Sequence, residues 1–261
     1  MSDRFVFNSF YKDDYPDWVC PNCHKATLKI IPNSVVKGTT PAAHKYHEHE
    51  GYRYDNEEFI FSLMLKCSQS NCYQPVVVMG VGGYEQQYIN RSSGEWDWFE
   101  FYKPKSFYPP IPVFTPCEQY PEQIKVQLQE ISAHLPGHPQ AAINALRTTL
   151  EIIMDYFEIP REDKGRYVSL DKRIKGIPEN YSSLREGFEA LKWLGNTGSH
   201  NLKPVDEKDI DGACHMLDDF LQRIFRGEVS HTETIERLNR NHNPTLRKSK
   251  GGNNSCDEMM T

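Results

Sequence analysis

Ala190–Pro204, ALKWLGNTGSHNLKP, is the stretch on which the reading of this chain turns. It starts as the end of an amphipathic helix and finishes in a polar, glycine-punctuated turn. Lys192, Asn196 and His200 lie four apart, so on a continuing helix they share one face. Leu191, Trp193 and Leu194 take the other positions and are expected to pack inward. The stretch thus reads as a polar row on an apolar scaffold. A plainer reading stands beside it: Gly195 and Gly198 are residues with which a helix stops, and Asn also tolerates the left-handed conformation.

Outward from this row, residues 118–240 keep the helical period. Ile124, Val126, Leu128 and Ile131 mark a helix over Pro121–Leu135, closed by Pro136-Gly137. His138-Pro139 opens a second, carrying Ala142, Ile143, Leu146, Leu150, Ile153, Met154 and Phe157. Ser169-Leu-Asp-Lys begins a short third helix, and Pro178–Asn196 forms the fourth, with Leu184, Phe188, Leu191 and Trp193 or Leu194 inward. Pro204–Phe225 is the fifth, entered through Asp206, Glu207 and Asp209, whose charges suit a helix N-terminus. Thr232–Asn239 adds a last turn. Short connections predict an antiparallel bundle. On the second helix Arg147 and Glu151 sit at i and i+4 among apolar neighbours. If buried, they need the polar row of the fourth helix opposite them for hydrogen bonds.

Residues 1–103 read differently. Ala26–Ile31, Phe59–Lys66, Pro75–Val81 and Trp96–Tyr102 are short strands, the third ending in Gly80-Val-Gly-Gly. Cys20-Pro-Asn-Cys23 and Cys67-Ser-Gln-Ser-Asn-Cys72 lie at strand edges, the spacing with which four thiolates enclose a tetrahedral Zn²⁺. The expectation is a structural zinc site in a ribbon-like β domain, where the metal replaces core that a small sheet lacks. Residues 33–56 form an insertion within it. Other readings are a redox CxxC, which calls for a helix after it, substitution of one ligand by His24 or by His44, His47 or His49, and two unrelated pairs of buried thiols. Residues 104–117 are rich in proline and read as an irregular connector, with Cys117 a lone thiol. The tail 241–261 is polar and expected to be disordered. The fold class expected is therefore α+β: an N-terminal β-rich zinc ribbon and a C-terminal all-α bundle.

Composition narrows the function classes. The 261 residues carry a formal charge of −6. Residues 1–117 hold 11 Lys+Arg against 13 Asp+Glu, and residues 118–240 hold 16 against 21, so neither half is the cationic surface that sequence-blind nucleic-acid binding uses. No apolar run reaches membrane-spanning length and the N-terminus has no signal-peptide pattern, which predicts a soluble cytoplasmic protein. Seven cysteines with close pairs fit a metal in a reducing compartment.

HPQAAINALRTTLE followed by LREGFEALKWLGNTGSH resembles the bacterial domain of unknown function numbered 4145, which belongs with the HEPN-like helical bundles, over about residues 118–226. The resemblance implies a bundle that binds RNA or another nucleic acid, or a partner protein, in a bacterial defence or toxin–antitoxin type system, working as a homodimer. Many HEPN domains are metal-independent ribonucleases with an Arg shortly before a His. His200 matches that His and Asn196 the polar residue, but Gly195, Leu194 and Trp193 stand where the Arg belongs, and Lys192 is the nearest cation. Three functions follow as expectations. The first is a binding or regulatory module. The second is an endoribonuclease using Arg147, Glu151, Lys192, Asn196 and His200. The third is a structural oligomerisation adaptor.

Overall fold

The computed structural model describes residues 8–47, 49, 51, 53–90, 94–200, 205–226 and 237–238. Its N-terminal half is a curled antiparallel sheet and the later part is mainly helical. The strands are β1 (Phe10–Tyr11), β2 (Leu28–Ile30), β3 (Val36–Thr39), β4 (Glu58–Cys67), β5 (Pro75–Asn90) and β6 (Glu95–Tyr108), ordered β1-β6-β5-β4-β2, with β3 following β2 along the same edge of β4. β4 shows why one face is inside. Phe59, Phe61, Leu63, Leu65 and Cys67 are buried, while Ile60, Met64 and Lys66 between them point out, the period-two pattern of a half-covered strand. Val76 and Val78 of β5, Tyr102 and Phe107 of β6, and Phe10 complete that face.

β5 does not stop at its glycines; it runs sixteen residues. At Gly80 a Cβ would lie 2.1 Å from the Lys103 carbonyl oxygen, and at Gly82 it would lie 2.4 Å from the Phe59 ring. These glycines therefore mark close approach within the sheet. β6 likewise extends to Tyr108, so the first residues of the proline-rich segment are strand and not irregular. Pro104 is tolerated there because the β5–β6 register shifts between Met79 and Gly80, at a bulge. Beyond the strand, Ile111, Val113, Phe114 and Tyr120 are buried, continuous with the cores of sheet and helices. Asp218 anchors this stretch, accepting from Thr115 N–H at 2.9 Å and from Thr115 Oγ1 at 2.8 Å.

The helices are α1 (Pro41–His47), within the insertion, then α2 (Glu122–His134), α3 (Pro139–Tyr156), α4 (Leu170–Lys175), α5 (Arg185–His200) and α6 (Glu207–Phe225). Ser169 caps α4 and Asp206 caps α6 through their side chains. α3 packs against both α2 and α5, burying Leu146, Leu150 and Ile153 on one helix and Phe188 and Leu191 on the other. Two details depart from expectation. A small hairpin, β7 (Glu162–Asp163) with β8 (Arg166–Tyr167), lies between α3 and α4, so the second half is not all-α. Glu179–Leu184 is 3₁₀, and α5 begins only at Arg185. The expected final helix at Thr232–Asn239 falls almost wholly outside the described residues, and the tail 241–261 entirely so. Among the described residues, no helix is long and apolar enough to cross a membrane.

Candidate metal centre and polar row

Two turns bring the four cysteines together. Cys20 leads into a tight turn in which His24 N–H donates to the Cys20 carbonyl at 3.0 Å and Cys20 N–H to Ala26 O at 2.9 Å. Cys67 ends β4, its N–H bonded to Gln74 O at 2.9 Å across the loop that carries Cys72. Ser68 N–H donates to Thr27 O at 3.0 Å and ties one turn to the other. In each turn the residue after the second cysteine, His24 or Tyr73, takes a positive φ, of 53° and 54°. The left-handed step lets the chain leave the turn sharply enough to expose both sulfurs to one point.

The sulfurs fit a single ion. Cys20 Sγ lies 3.7 Å from Cys72 Sγ, Cys23 Sγ lies 3.7 Å from Cys67 Sγ, and all four fall within 4.8 Å of one another. A tetrahedron with metal–sulfur bonds of about 2.3 Å has edges of about 3.8 Å. A disulfide needs sulfurs about 2.05 Å apart, and all four cysteines are free. Hydrogen bonds of the kind that orient metal-bound thiolates are in place: Asn22 Nδ2 to Cys72 Sγ at 3.3 Å and Gln69 N–H to Cys67 Sγ at 3.4 Å. Asn22 pulls the Cys72 thiol down to about 6, and the Lys25 amide lowers that of Cys23. Burial pushes Cys67 up to about 12 and raises Cys20. A divalent cation at the centre would hold all four as thiolates. With four protein sulfurs the coordination shell is complete, so such a site shapes the fold.

His24 and the histidines of the insertion stand apart from this set. Among the described residues, the four cysteines are the one group of three or more metal-ligating side chains that converges. His47 Nε2 instead meets Glu57 Oε2 at 2.5 Å. Cys117 is buried and donates to Gln119 Oε1 at 2.8 Å. It sits on a groove of about 880 Å³ between the Pro21–His24 turn, the proline-rich stretch and α2.

The polar row is placed less simply. Arg147 of α3 and Asn196 of α5 do meet, Arg147 Nη1 donating to Asn196 Oδ1. Gly195 makes that crossing close: a Cβ there would lie 3.1 Å from Arg147 Cβ. α5 continues through both Gly195 and Gly198 to His200, so neither glycine stops it. The side chains of residues 197–200 are outside the described residues, His200 among them. Lys192 and Trp193 exchange the expected roles. Lys192 is 4 % exposed and Trp193 62 %, because the stripe through Leu184, Phe188 and Leu191 turns Trp193 away from the bundle. Lys192 Nζ reaches Asp171 Oδ1 on α4 at 2.5 Å and lies 4.2 Å from the centre of the Trp193 ring. Lys192 first, and Lys175 beside it, hold the Asp171 carboxyl below the usual carboxylate range.

Glu151 meets a residue that sequence reasoning missed. Arg173 of α4 is wholly buried and donates to Glu151 Oε2 at 2.5 Å, to Asp155 Oδ1 at 2.6 Å and to the Ile159 carbonyl at 2.9 and 3.2 Å. Arg161 closes on Asp155 from the outside at 2.5 Å, and with Arg173 depresses the Asp155 carboxyl. The available signal was the charged Arg173 next to Ile174 in a helix too short to have a spare inward face.

Residues 8–107 match the family model for a domain of unknown function (DUF8608), and residues 129–243 match that for a domain of unknown function (DUF4145). The second match covers the quoted stretches that carry the resemblance. No curated protein and no solved structure matches the chain.

Proposed function

We propose that this chain is a binding or regulatory module in which a zinc-ribbon-like sheet, held by Zn²⁺ on Cys20, Cys23, Cys67 and Cys72, is joined to a HEPN-like bundle, with neither half performing chemistry by itself. The supporting observation is the engagement of the polar row within the bundle. Arg147 serves Asn196, Lys192 serves Asp171, and Glu151 serves Arg173. Cleaving RNA without a metal calls for a cation on the pentavalent phosphate and a separate acid and base. Here Lys192 and Arg173 neutralise carboxylates while Arg147 is held by the Asn196 amide, so each joins two helices, which is structural work. Zinc is favoured over an iron–sulfur cluster because edges of 3.7 Å suit one ion, whereas several irons hold their cysteines farther apart.

The rival reading, an endoribonuclease, draws on the meeting of Arg147 with Asn196 at the end of α5 that carries His200. Purified, zinc-loaded protein incubated with total tRNA separates the two. Intact tRNA is expected, together with one zinc per chain by elemental analysis. Cleavage that disappears in His200→Ala would overturn the module reading, and zinc far below one per chain would overturn the metal assignment.

A further inference from the structure

The outward face of the sheet is apolar where a face turned to water is ordinarily polar. Cross-strand register assembles it in rows. Met64, Val77 and Tyr108 stand side by side on β4, β5 and β6. The next row runs Val36, Ser62, Met79 and Ser106 from β3 to β6, and the one after it Ile60, Val81 and Lys103. Lys103 is the one charge in these three rows, and Glu207 of α6 meets it at 3.6 Å. Val36 is 67 % exposed, Ile60 60 %, Met79 46 % and Tyr108 74 %. With Met64 they present on the order of 500 Å² of largely apolar surface, the upper end of what a lone monomer shows.

Charge gathers at the two ends of this face, with opposite sign. At the metal end Lys29 and Lys66 oppose each other across β2 and β4, Lys29 holding Asp17 and Lys66 lying over the Tyr73 ring. At the other end Glu58 lies opposite Gly83, and strand alternation carries Glu85 and Asp97 onto the same side. Among the described residues, the groups that donate to Glu58 and Glu85 are uncharged, Thr40 for the first and Tyr11 and Gln87 for the second. Both carboxylates therefore keep their charge. Gly80 lies midway along β5 between Glu85 and Pro75, the partner of Lys66.

A face that is apolar in the middle and oppositely charged at its ends complements a reversed copy of itself. We infer that this outward face is the interface of a homodimer, two sheets stacked about a two-fold axis that crosses the strands near Met79 and Gly80. Such an axis reverses one sheet upon the other, a stacking that aligned sheets allow. It brings Lys66 of each copy over the row of Glu85 in the other, one strand spacing of about 4.8 Å to the side and within reach of a lysine side chain. The apolar rows of the two copies together bury about 1,000 Å², the size at which specific interfaces begin. The interface uses no residue of the polar row, so dimerisation and tRNA cleavage are separate measurements.

Sedimentation equilibrium of the full-length, zinc-loaded protein between about 1 and 100 μM, a range that spans weak dimers, measures the association. The mass of two chains is expected at the upper concentrations. Met79→Glu sets like charges against each other near the axis and should leave the mass of one chain. Met79 is half exposed, so circular dichroism and zinc content of that variant should match the parent. Lys66→Glu should weaken association about tenfold, and the double Lys66→Glu, Glu85→Lys variant should regain it. A single-chain mass for the parent at every concentration would overturn the inference, and flotation of that monomer with phosphatidylcholine vesicles would give the face to lipid instead. Undiminished dimerisation of Met79→Glu would place the contact elsewhere on the chain and overturn it equally. Failure of the charge swap to restore association would overturn the reversed arrangement.

Discussion

Replacing Arg173 by alanine removes the one fully buried guanidinium described in the bundle. Four hydrogen bonds go with it, two to carboxylates of α3 and two to the Ile159 carbonyl. Taking one partner from a buried ion pair costs about 3–5 kcal/mol, because the other charge is left without compensation. The lower end applies here. The Glu151 and Asp155 side chains are partly open to water, and Asp155 keeps Arg161. A loss of about 3 kcal/mol corresponds to a fall in Tm of roughly 6–12 °C for a chain of this size. Urea unfolding of Arg173→Ala beside Arg173→Lys measures it, with lysine intermediate because it keeps the charge but not the fork. The pH dependence supplies a second readout. A carboxyl depressed in the folded state contributes stability that is present above its unfolded value of about 3.9 and lost as pH falls through the folded one. Asp155 is such a group, so the difference between parent and Arg173→Ala should shrink on acidification below about pH 4. A loss under about 1 kcal/mol, flat with pH, would refute the assignment of Arg173 as the pin between α3 and α4.

Three further outcomes are expected. Cys20→Ser should lose bound metal and melt at a lower temperature, and full zinc retention at an unchanged Tm would remove the structural-metal assignment. Gly80→Ala should destabilise by about 1–3 kcal/mol in chemical unfolding, since its Cβ must displace the Lys103 backbone; a neutral result would mean the sheet yields there. Asp218→Ala should cost about 1.5–3 kcal/mol by deleting the carboxylate that takes both Thr115 donors, with faster amide exchange at Thr115 as its local signature, and unchanged exchange would count against this anchor.

Local patterns carry what depends on a few consecutive residues. The two cysteine pairs, the alternation of Phe59–Lys66 and the threefold and fourfold spacing of Ala142–Phe157 each specify their own element, because backbone geometry decides which side chains share a face. The convergence of four sulfurs was therefore legible, as was the meeting of Arg147 and Asn196 on facing helices. What sequence could not settle is which distant group answers each charge. Lys192 turns to Asp171 and Glu151 to Arg173 because α4 docks beside α3 and α5, and that docking is set by packing of the whole bundle. Likewise, glycines that read as a strand end prove to be contact points, since Gly80 is pressed by Lys103 and Gly82 by Phe59 and Phe101. Periodicity determines what a residue's neighbours along the chain must do; the partner of a buried charge depends on atoms tens of residues away, and only the closed tertiary structure supplies them.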